Sequence, residues 1–329
     1  MVPDGHSYHP IVLEEDNLQR CNENDTGYEL LLGESGRLFG IAVTRKENGA
    51  VIFDTRLPGT VLSKQFLQVS TRLTTANIFG LGGLSPKETL KQDINWKTVT
   101  FFNKRINGRP SDYFGVHHFY MVVEEDGKAN GLFLRNGNAM DVLLQPEKVI
   151  TFRTTGGLLD FDIFLGDSPD DVLRQFTELV GRPAMPPLWA LGHHVSVAAD
   201  VEISQVWRLL QMLNESGIEV DPLMPSPGVH MIPLIENEGG ESSTDNAFVD
   251  FTNPETMMAW TNNLRSLYGT FGFDGLLLDM NEPTYPPELN RSSPMCSKNK
   301  WNNPPYHVGF QHWGRGMFEN SVCGDANQS

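Results

Sequence analysis

Two apolar runs in the second half of the chain end in acidic residues that could act as nucleophiles or as general acids. The run Gly275–Leu278 leads into Asp279 and, shortly after it, Glu282. The run Met231–Ile235 leads into Glu236. Burial and charged neighbours tune the pKa of a carboxylate at the end of a buried strand, which suits it to either role. Such acids can equally cap the next helix or meet a surface arginine. Position alone leaves both interpretations open and favours Asp279 over Glu236.

Other residue patterns point away from metal or nucleotide chemistry. The adjacent pairs His117-His118 and His193-His194 would point to opposite faces of a strand, so neither pair can hold one metal ion. The sequence contains no HExxH, CxxC, P-loop or G-x-S-x-G motif. We therefore expect no metal site.

Composition excludes two further classes of protein. The 329 residues carry a formal net charge of −16, which disfavours nucleic-acid binding because phosphates require a basic face. No run approaches 18 apolar residues, so we expect no membrane span in this chain. The first ten residues lack both a cationic and an apolar stretch, so we expect no signal peptide.

The cysteines and the Asn-x-Ser/Thr sequons bear on modification. Cys296 and Cys323 flank a segment rich in Asn, Pro and Gly, where a disulfide would restrain the chain, and Cys21 is the third cysteine. Spacing alone leaves a disulfide and three ordinary thiols equally open. Four sequons are candidates for glycosylation, although such tripeptides are common by chance: Asn24, Asn214, Asn290 and Asn327.

The first half of the chain is part of the scaffold that must position the candidate acidic residues. Residues 28–165 have the pattern of β structure. In the segment Leu158–Leu165, the residues Phe161, Ile163 and Leu165 would face a core while Asp162 faces away. Similar short segments recur between Gly and Asn-Gly turns, at Arg37–Thr44, Ala50–Asp54, Phe66–Leu73, His118–Val123 and Lys148–Thr154. About ten such strands without long helices between them predict an antiparallel β-sandwich.

The pattern changes near residue 168. Ser168 and Pro169 predict the start of a helix that ends at Gly181, and a proline-rich linker follows as far as Trp189. Beyond the linker, strands and helices alternate, which predicts a parallel sheet or a (β/α) barrel. The predicted strands are Trp189–Val197, Ile218–Val220, Met231–Ile235 and Gly275–Leu278, and the predicted helices are Val201–Leu213 and Asn253–Tyr268. We thus predict a β-sandwich domain over residues 1–182 and a barrel domain over 183–329.

The segment DGLLLDMNEP (Asp274–Pro283) resembles the active-site signature of glycoside hydrolase family 31, a family of α-glucosidases. The likeness extends along the chain. Residues Phe152–Gly192 resemble the family's passage from sandwich to barrel, and Gly131–Glu147 resembles its sandwich loop that reaches the active site. The segment Asp250–Thr256 also matches.

This resemblance implies roles for particular residues. Asp279 would be the nucleophile of a retaining mechanism, Glu282 a supporting polar group, and Asp141 a hydrogen-bonding partner of sugar hydroxyls. Retention needs a second carboxyl about 5–5.5 Å from the first. The resemblance also implies a disulfide between Cys296 and Cys323. The substrate would be an α-glucoside or maltooligosaccharide, no cofactor would be needed, and the location would be extracellular, lysosomal or membrane-tethered.

Departures from the family pattern lead us to expect an incomplete barrel. The family's acid/base Asp lies downstream of the signature, and the sequence ends at Ser329 before reaching it. Leu277 stands where the signature has Trp, and about thirty family residues are skipped between Asp221 and Gly228. About 140 residues follow the linker, whereas a complete barrel takes about 250. The alternative hypothesis is a catalytically inactive family member that acts as a carbohydrate- or protein-binding module.

Overall fold

The computed structural model describes residues 27–33, 40–82, 89–101, 116–192, 195–197, 203–218, 223–225, 232–233, 246–247, 254–271 and 297–309. The chain divides into two compact units, Met1–Arg182 with Arg291–Ser329 and Pro183–Asn290. This grouping places residues 291–329 with the first unit, whereas the sequence analysis assigned them to the barrel. The domain boundaries themselves stay a prediction.

The described strands of the first unit form three antiparallel sheets. The smallest contains β1 (Tyr28–Leu32), β2 (Ile41–Arg45) and β3 (Val51–Asp54), in that order. The five-stranded sheet contains, in spatial order, β4 (Val61–Ser63), β5 (Phe66–Arg72), β11 (Val149–Thr154), β10 (Met140–Gln145) and β7 (Lys97–Phe101). The four-stranded sheet contains β12 (Phe161–Gly166), β9 (Ala129–Leu134), β8 (Val116–Val123) and β6 (Ile78–Gly82).

Alternating side chains of the two larger sheets share one hydrophobic core. On the five-stranded sheet, Val69, Phe152 and Val142 lie directly opposite one another on β5, β11 and β10, and all three are buried. Tyr120 of the four-stranded sheet reaches the same core, with its ring centroid 6.4 Å from that of Phe152. Because side chains alternate along a strand, the neighbours of these core residues must face away from the core.

The prediction for β12 is confirmed on this point. Phe161, Ile163 and Leu165 pack against the core, as their alternation with polar residues indicated. The prediction of antiparallel β structure is likewise confirmed, whereas its finer description, a sandwich followed by an incomplete barrel, stays a prediction.

Helix α1 (Pro169–Val180) packs on the other face of the four-stranded sheet. Ser168 caps it as predicted, because its hydroxyl accepts a hydrogen bond from the Asp171 amide at 3.3 Å. Val172 is fully buried and lies over Gly131 of β9, where an added Cβ would come within 2.7 Å of Val172. Glycine at this position lets the helix approach the sheet closely.

The second unit contains short strands and two longer helices. Its described elements are a 3₁₀ helix (Leu188–Leu191), β13 (Val195–Val197), α2 (Ile203–Glu215), β14 (Leu223–Pro225), β15 (Ile232–Pro233), β16 (Asn246–Ala247) and α3 (Pro254–Phe271). β13 and β14 pair in parallel, and β15 and β16 pair antiparallel. Among the described helices, none combines the length and the apolar character needed to cross a membrane.

Several predicted elements of this unit differ from the structure. The strand predicted from Trp189 begins instead as a 3₁₀ turn, in which the Ala190 amide donates to the Pro187 carbonyl and the Gly192 amide to the Trp189 carbonyl. Ile218 is not in a strand, because its amide donates to the Leu213 carbonyl and closes the end of α2.

Helix α3 continues past Gly269 to Phe271, three residues beyond the predicted end at Tyr268. The predicted strand Met231–Ile235 is described only at 232–233, and Gly275–Leu278 lies outside the described residues.

Candidate functional site

Two of the predicted site residues, Asp141 and Asn214, lie in the described part of the chain. The remaining candidates fall outside it: Asp279, Glu282, Glu236, Cys296, Cys323, Asn24, Asn290 and Asn327. The geometry of a site can therefore be examined around Asp141.

Asp141 belongs to a row of polar residues that crosses the outer face of the five-stranded sheet. Gln68, Arg153, Asp141 and Thr100 lie directly opposite one another on β5, β11, β10 and β7. Each lies one residue along its strand from a core residue, so strand alternation turns the whole row away from the hydrophobic core. The antiparallel register thus brings together side chains that are far apart in the sequence.

Within the described part of the chain, the carboxylate of Asp141 accepts hydrogen bonds from three groups. The Thr100 hydroxyl donates to Oδ1 at 2.6 Å, and the Tyr306 hydroxyl donates to Oδ2 at 2.5 Å. The Gly309 amide lies 3.2 Å from Oδ1 and 3.1 Å from Oδ2. Asp141 is only 5% exposed, so these donors take the place of water around a buried charge.

Residues 297–309 supply two of these donors, and asparagine side chains organise this segment. Asn299 Oδ1 accepts the amides of Trp301 and Asn302 at 2.9 Å, and Asn302 Nδ2 donates to the Ser297 carbonyl at 2.8 Å. Such side chain to backbone bonds are how asparagine stabilises turns. Val308 is fully buried.

The same segment contacts the start of β5. The ring centroids of Phe66 and Tyr306 are 5.1 Å apart. Gln65 Nε2 donates to the Lys300 carbonyl at 2.7 Å. Ring packing, this side-chain bond and the bonds to Asp141 together hold residues 297–309 against the outer face of the sheet.

Electrostatics keep the Tyr306 phenol protonated. Burial raises the pKa of Tyr306, the hydrogen bond to Asp141 raises it further, and the positive charge of Arg153 acts weakly in the opposite direction. The phenol is therefore neutral at physiological pH and can donate its proton to the carboxylate. Arg153 is held by its own bond, from Nε to Gln68 Oε1 at 2.8 Å.

The chain that leads into β10 is braced by Asn136, which is 3% exposed. Its Nδ2 donates to the carbonyls of Gly156 and Leu158, each at 2.9 Å. Gly157 between them has φ +81°, and an added Cβ would lie 2.7 Å from Asn136 Nδ2. A glycine is needed here for both reasons, and the turn it forms supports the start of the strand that carries Asp141.

Thr100 and Tyr306 are partners that the sequence analysis did not assign to Asp141. The polar-apolar alternation of β7 places Thr100 on the outer face, but the register that sets it opposite Asp141 cannot be read from one strand. Tyr306 is 165 residues away in the chain, and no local pattern signals such a contact.

Asn214 is exposed and lies in the last turn of α2, where the Gly217 amide donates to its carbonyl. The sequon is thus accessible at a helix end. Within the described ranges, no group of three or more His, Cys, Asp or Glu residues is arranged to hold a metal ion.

A family model described as the glycosyl hydrolases family 31 TIM-barrel domain matches residues 228–314. The matched range includes Asp279 and Glu282, and it also includes the described segment 297–309.

Known proteins resemble nearly the whole chain. A probable maltase-glucoamylase 2 of Homo sapiens is 31% identical over a match covering 88% of this chain and 15% of that protein. Lysosomal alpha-glucosidase of Bos taurus is 32% identical over 88% of this chain and 37% of its own length. Among solved structures, a family 31 dextranase of Flavobacterium johnsoniae complexed with glucose matches 60% of this chain and 24% of that chain, with 16% identity and a TM-score of 0.49. The chain thus spans well under half of the length of the relatives it matches.

Proposed function

The chain belongs to glycoside hydrolase family 31, and from this membership we propose that it hydrolyses non-reducing terminal α-linked glucose. One observation carries the proposal: the range matched by the family's TIM-barrel model includes the segment Asp279–Glu282. Relatives named as an α-glucosidase and a maltase-glucoamylase, each about 30% identical, support an α-glucoside or maltooligosaccharide as substrate.

The proposed reaction is a double displacement with retention. The Asp279 carboxylate attacks the anomeric carbon and the glycosidic bond breaks, while the second carboxyl group that the family pattern places downstream of the signature protonates the departing oxygen. A water molecule, deprotonated by that second group, then attacks the glycosyl-enzyme ester and releases glucose and free Asp279. Glu282 is proposed as a supporting polar group beside the nucleophile.

Asp141 is proposed to accept a hydrogen bond from a sugar hydroxyl. A carboxylate offers roughly four lone-pair directions, and the Thr100, Tyr306 and Gly309 donors leave room for about one more. A sugar hydroxyl is a suitable donor, and the existing bonds would fix the orientation of the acceptor.

The proposed location is extracellular or lysosomal. A relative named lysosomal alpha-glucosidase supports it, as does the exposed sequon at Asn214. Such a compartment would permit the proposed disulfide between Cys296 and Cys323.

Hydrolysis of p-nitrophenyl α-glucoside by the purified chain tests the activity. Any turnover should require Asp279 and be abolished by Asp279→Asn, because the amide cannot form the ester intermediate. The matched control is Asp160→Asn, which neutralises an exposed carboxylate of the first unit and should leave turnover unchanged.

A mechanism-based glucoside inhibitor separates the remaining outcomes. Covalent labelling of Asp279 without turnover would favour the inactive, sugar-binding alternative, since a nucleophile would survive without its acid/base partner. If the inhibitor does not label Asp279 and the chain does not hydrolyse the glucoside, the proposed hydrolysis is overturned.

A further inference from the structure

We infer that Asp141 is a positioning residue that holds residues 297–309 against the five-stranded sheet and thereby fixes the chain that follows the Asp279–Pro283 motif. This role is distinct from the contact with sugar proposed above. It rests on a hydrogen-bonded cluster in which β10 supplies the acceptor and the 297–309 segment supplies two of three donors.

The first argument is that the cluster is buried and charged. Asp141 is 5% exposed, and the backbone amide of Gly309 lies in the same buried environment. Hydrogen bonds to an ionised acceptor are about twice as strong as bonds between neutral groups, and a buried carboxylate that loses a donor is costly. The Asp141 charge and the ordered position of residues 297–309 therefore depend on each other.

The second argument is that both oxygens of Asp141 are used. Oδ2 takes the Tyr306 hydroxyl while Oδ1 takes the Thr100 hydroxyl, and the Gly309 amide lies between them. An asparagine would keep one acceptor oxygen and replace the other with an N–H donor, which opposes an incoming amide and forces a hydroxyl to accept instead of donate. A carboxylate accepts from the sheet and from the segment through separate oxygens, with no N–H directed at the Gly309 amide.

The third argument is the position of the segment in the chain. Ser297 follows Pro283 after a short intervening stretch, and the Gln65–Lys300 and Asn302–Ser297 bonds hold the chain where residues 297–309 begin. Cys296 lies immediately before this segment. Anchoring here limits where the chain downstream of the candidate nucleophile can go.

Amide hydrogen exchange of the full-length chain tests the inference directly. In Tyr306→Phe, which removes only the hydroxyl, we expect amides of residues 297–309 to exchange about 10- to 100-fold faster, the range for losing one bond to a charged group. Amides of β10 and β11 should keep their protection. Tyr28→Phe makes the same chemical change in the exposed part of β1 and should leave the segment unaffected.

Asp141→Asn should accelerate the same amides, with Gly309 among them. Thr100→Val removes the donor on the sheet side and provides a second variant if Asp141→Asn folds poorly. Unchanged exchange of residues 297–309 in Tyr306→Phe would overturn the inference.

Kinetics on an α-glucoside provide a second readout that rests on the proposed function. If Asp141 acts through the segment, Tyr306→Phe and Asp141→Asn should both lower kcat/KM by about tenfold or more, with a loss in kcat. If Asp141 only contacts sugar, Asp141→Asn should raise KM, and the kcat/KM of Tyr306→Phe should equal that of Tyr28→Phe. That pattern would contradict the inference. The exchange result stands whether or not the chain turns over a glucoside, so failure of the proposed function and failure of this inference are distinguishable.

Discussion

Arg45 and Glu124 form a buried ion pair, with Arg45 Nη2 donating to Glu124 Oε1 at 2.8 Å and both side chains less than a tenth exposed. Arg45 ends β2, and Glu124 follows directly after β8, so the pair joins two different sheets. Arg45 Nη2 also donates to the Ala129 carbonyl at 3.1 Å, and Asn130 Nδ2 donates to Glu124 Oε1 at 3.1 Å. The pair is therefore one part of a connected polar network inside the first unit.

Removing one member of this pair should be strongly destabilising. Arg45→Met leaves the Glu124 carboxylate buried and without its cation, so we expect the free energy of unfolding to fall by about 3–5 kcal/mol. Urea unfolding followed by circular dichroism measures the change.

The matched control for Arg45→Met is Arg174→Met. Arg174 pairs with Asp171 on α1, where the two side chains are 58% and 30% exposed, and such an exposed pair contributes little to stability. Equal losses of stability in the two variants would show that the buried Arg45–Glu124 pair contributes no more than the exposed Arg174–Asp171 pair.

Gly157→Ala should destabilise the turn that braces β10. The residue has φ +81°, and an added Cβ would lie 2.5 Å from Asn138 Nδ2. Alanine must therefore adopt a strained backbone and displace an asparagine, for a combined cost of roughly 2–4 kcal/mol. Thermal or urea unfolding measures it.

Gly127→Ala separates the two contributions. Gly127 has a similar φ of +88°, but nothing lies within 4 Å of an added Cβ. Only the backbone strain remains, and we expect a loss of about 1 kcal/mol. A loss at Gly157 no larger than that at Gly127 would mean that the Asn136 and Asn138 side chains yield without cost.

His118 should make the stability depend on pH in the acidic range. Burial and, to a lesser extent, the charge of the neighbouring His117 together lower the pKa of His118 from 6.5 to about 4. Between these two values the unfolded chain binds a proton at this residue and the folded chain does not. The free energy of unfolding should therefore fall as the pH falls from 6.5 towards 4, by at most about 1.4 kcal/mol per pH unit.

Urea unfolding at several pH values between 7 and 4 measures this slope. His118→Phe keeps a ring against Phe101, whose centroid lies 4.8 Å from that of His118, and removes the titrating group. We expect a shallower slope in that variant. An identical slope would assign the pH dependence to other groups.

Local patterns in the sequence predicted those features of the fold that depend on neighbouring residues. The alternation of Phe161, Ile163 and Leu165 identified the core face of β12, because strand geometry alone decides which side chains share a face. Trp189 was wrongly placed in a strand, because a short apolar run has no periodicity that distinguishes a strand from a helical turn.

The candidate site depends on long-range pairing, which local patterns do not encode. Family resemblance identified Asp141, but its donor Tyr306 is brought there by the fold of a segment 165 residues away. The register of β7 against β10 likewise places Thr100 beside Asp141. These partners follow from sheet pairing and from the packing of residues 297–309, and neither is set by the sequence around Asp141.

Ser168 offers the clearest test of a feature that was both predicted and observed. Its hydroxyl accepts the Asp171 amide at 3.3 Å, and it also donates to the Asp171 carboxylate at 3.1 Å. Ser168→Ala leaves the first amides of α1 without this partner, so we expect a loss of about 1 kcal/mol in the free energy of unfolding. Urea unfolding measures the loss, and amide exchange should locate it in the first turn of the helix.

Rescue by a second capping residue distinguishes this role from simple packing of the serine. Asparagine caps helices about as well as serine, although it is larger, so Ser168→Asn should retain most of the stability. If Ser168→Asn loses as much stability as Ser168→Ala, capping is not the main contribution of Ser168. Retained stability in Ser168→Asn together with a loss in Ser168→Ala would assign the effect to the helix amides.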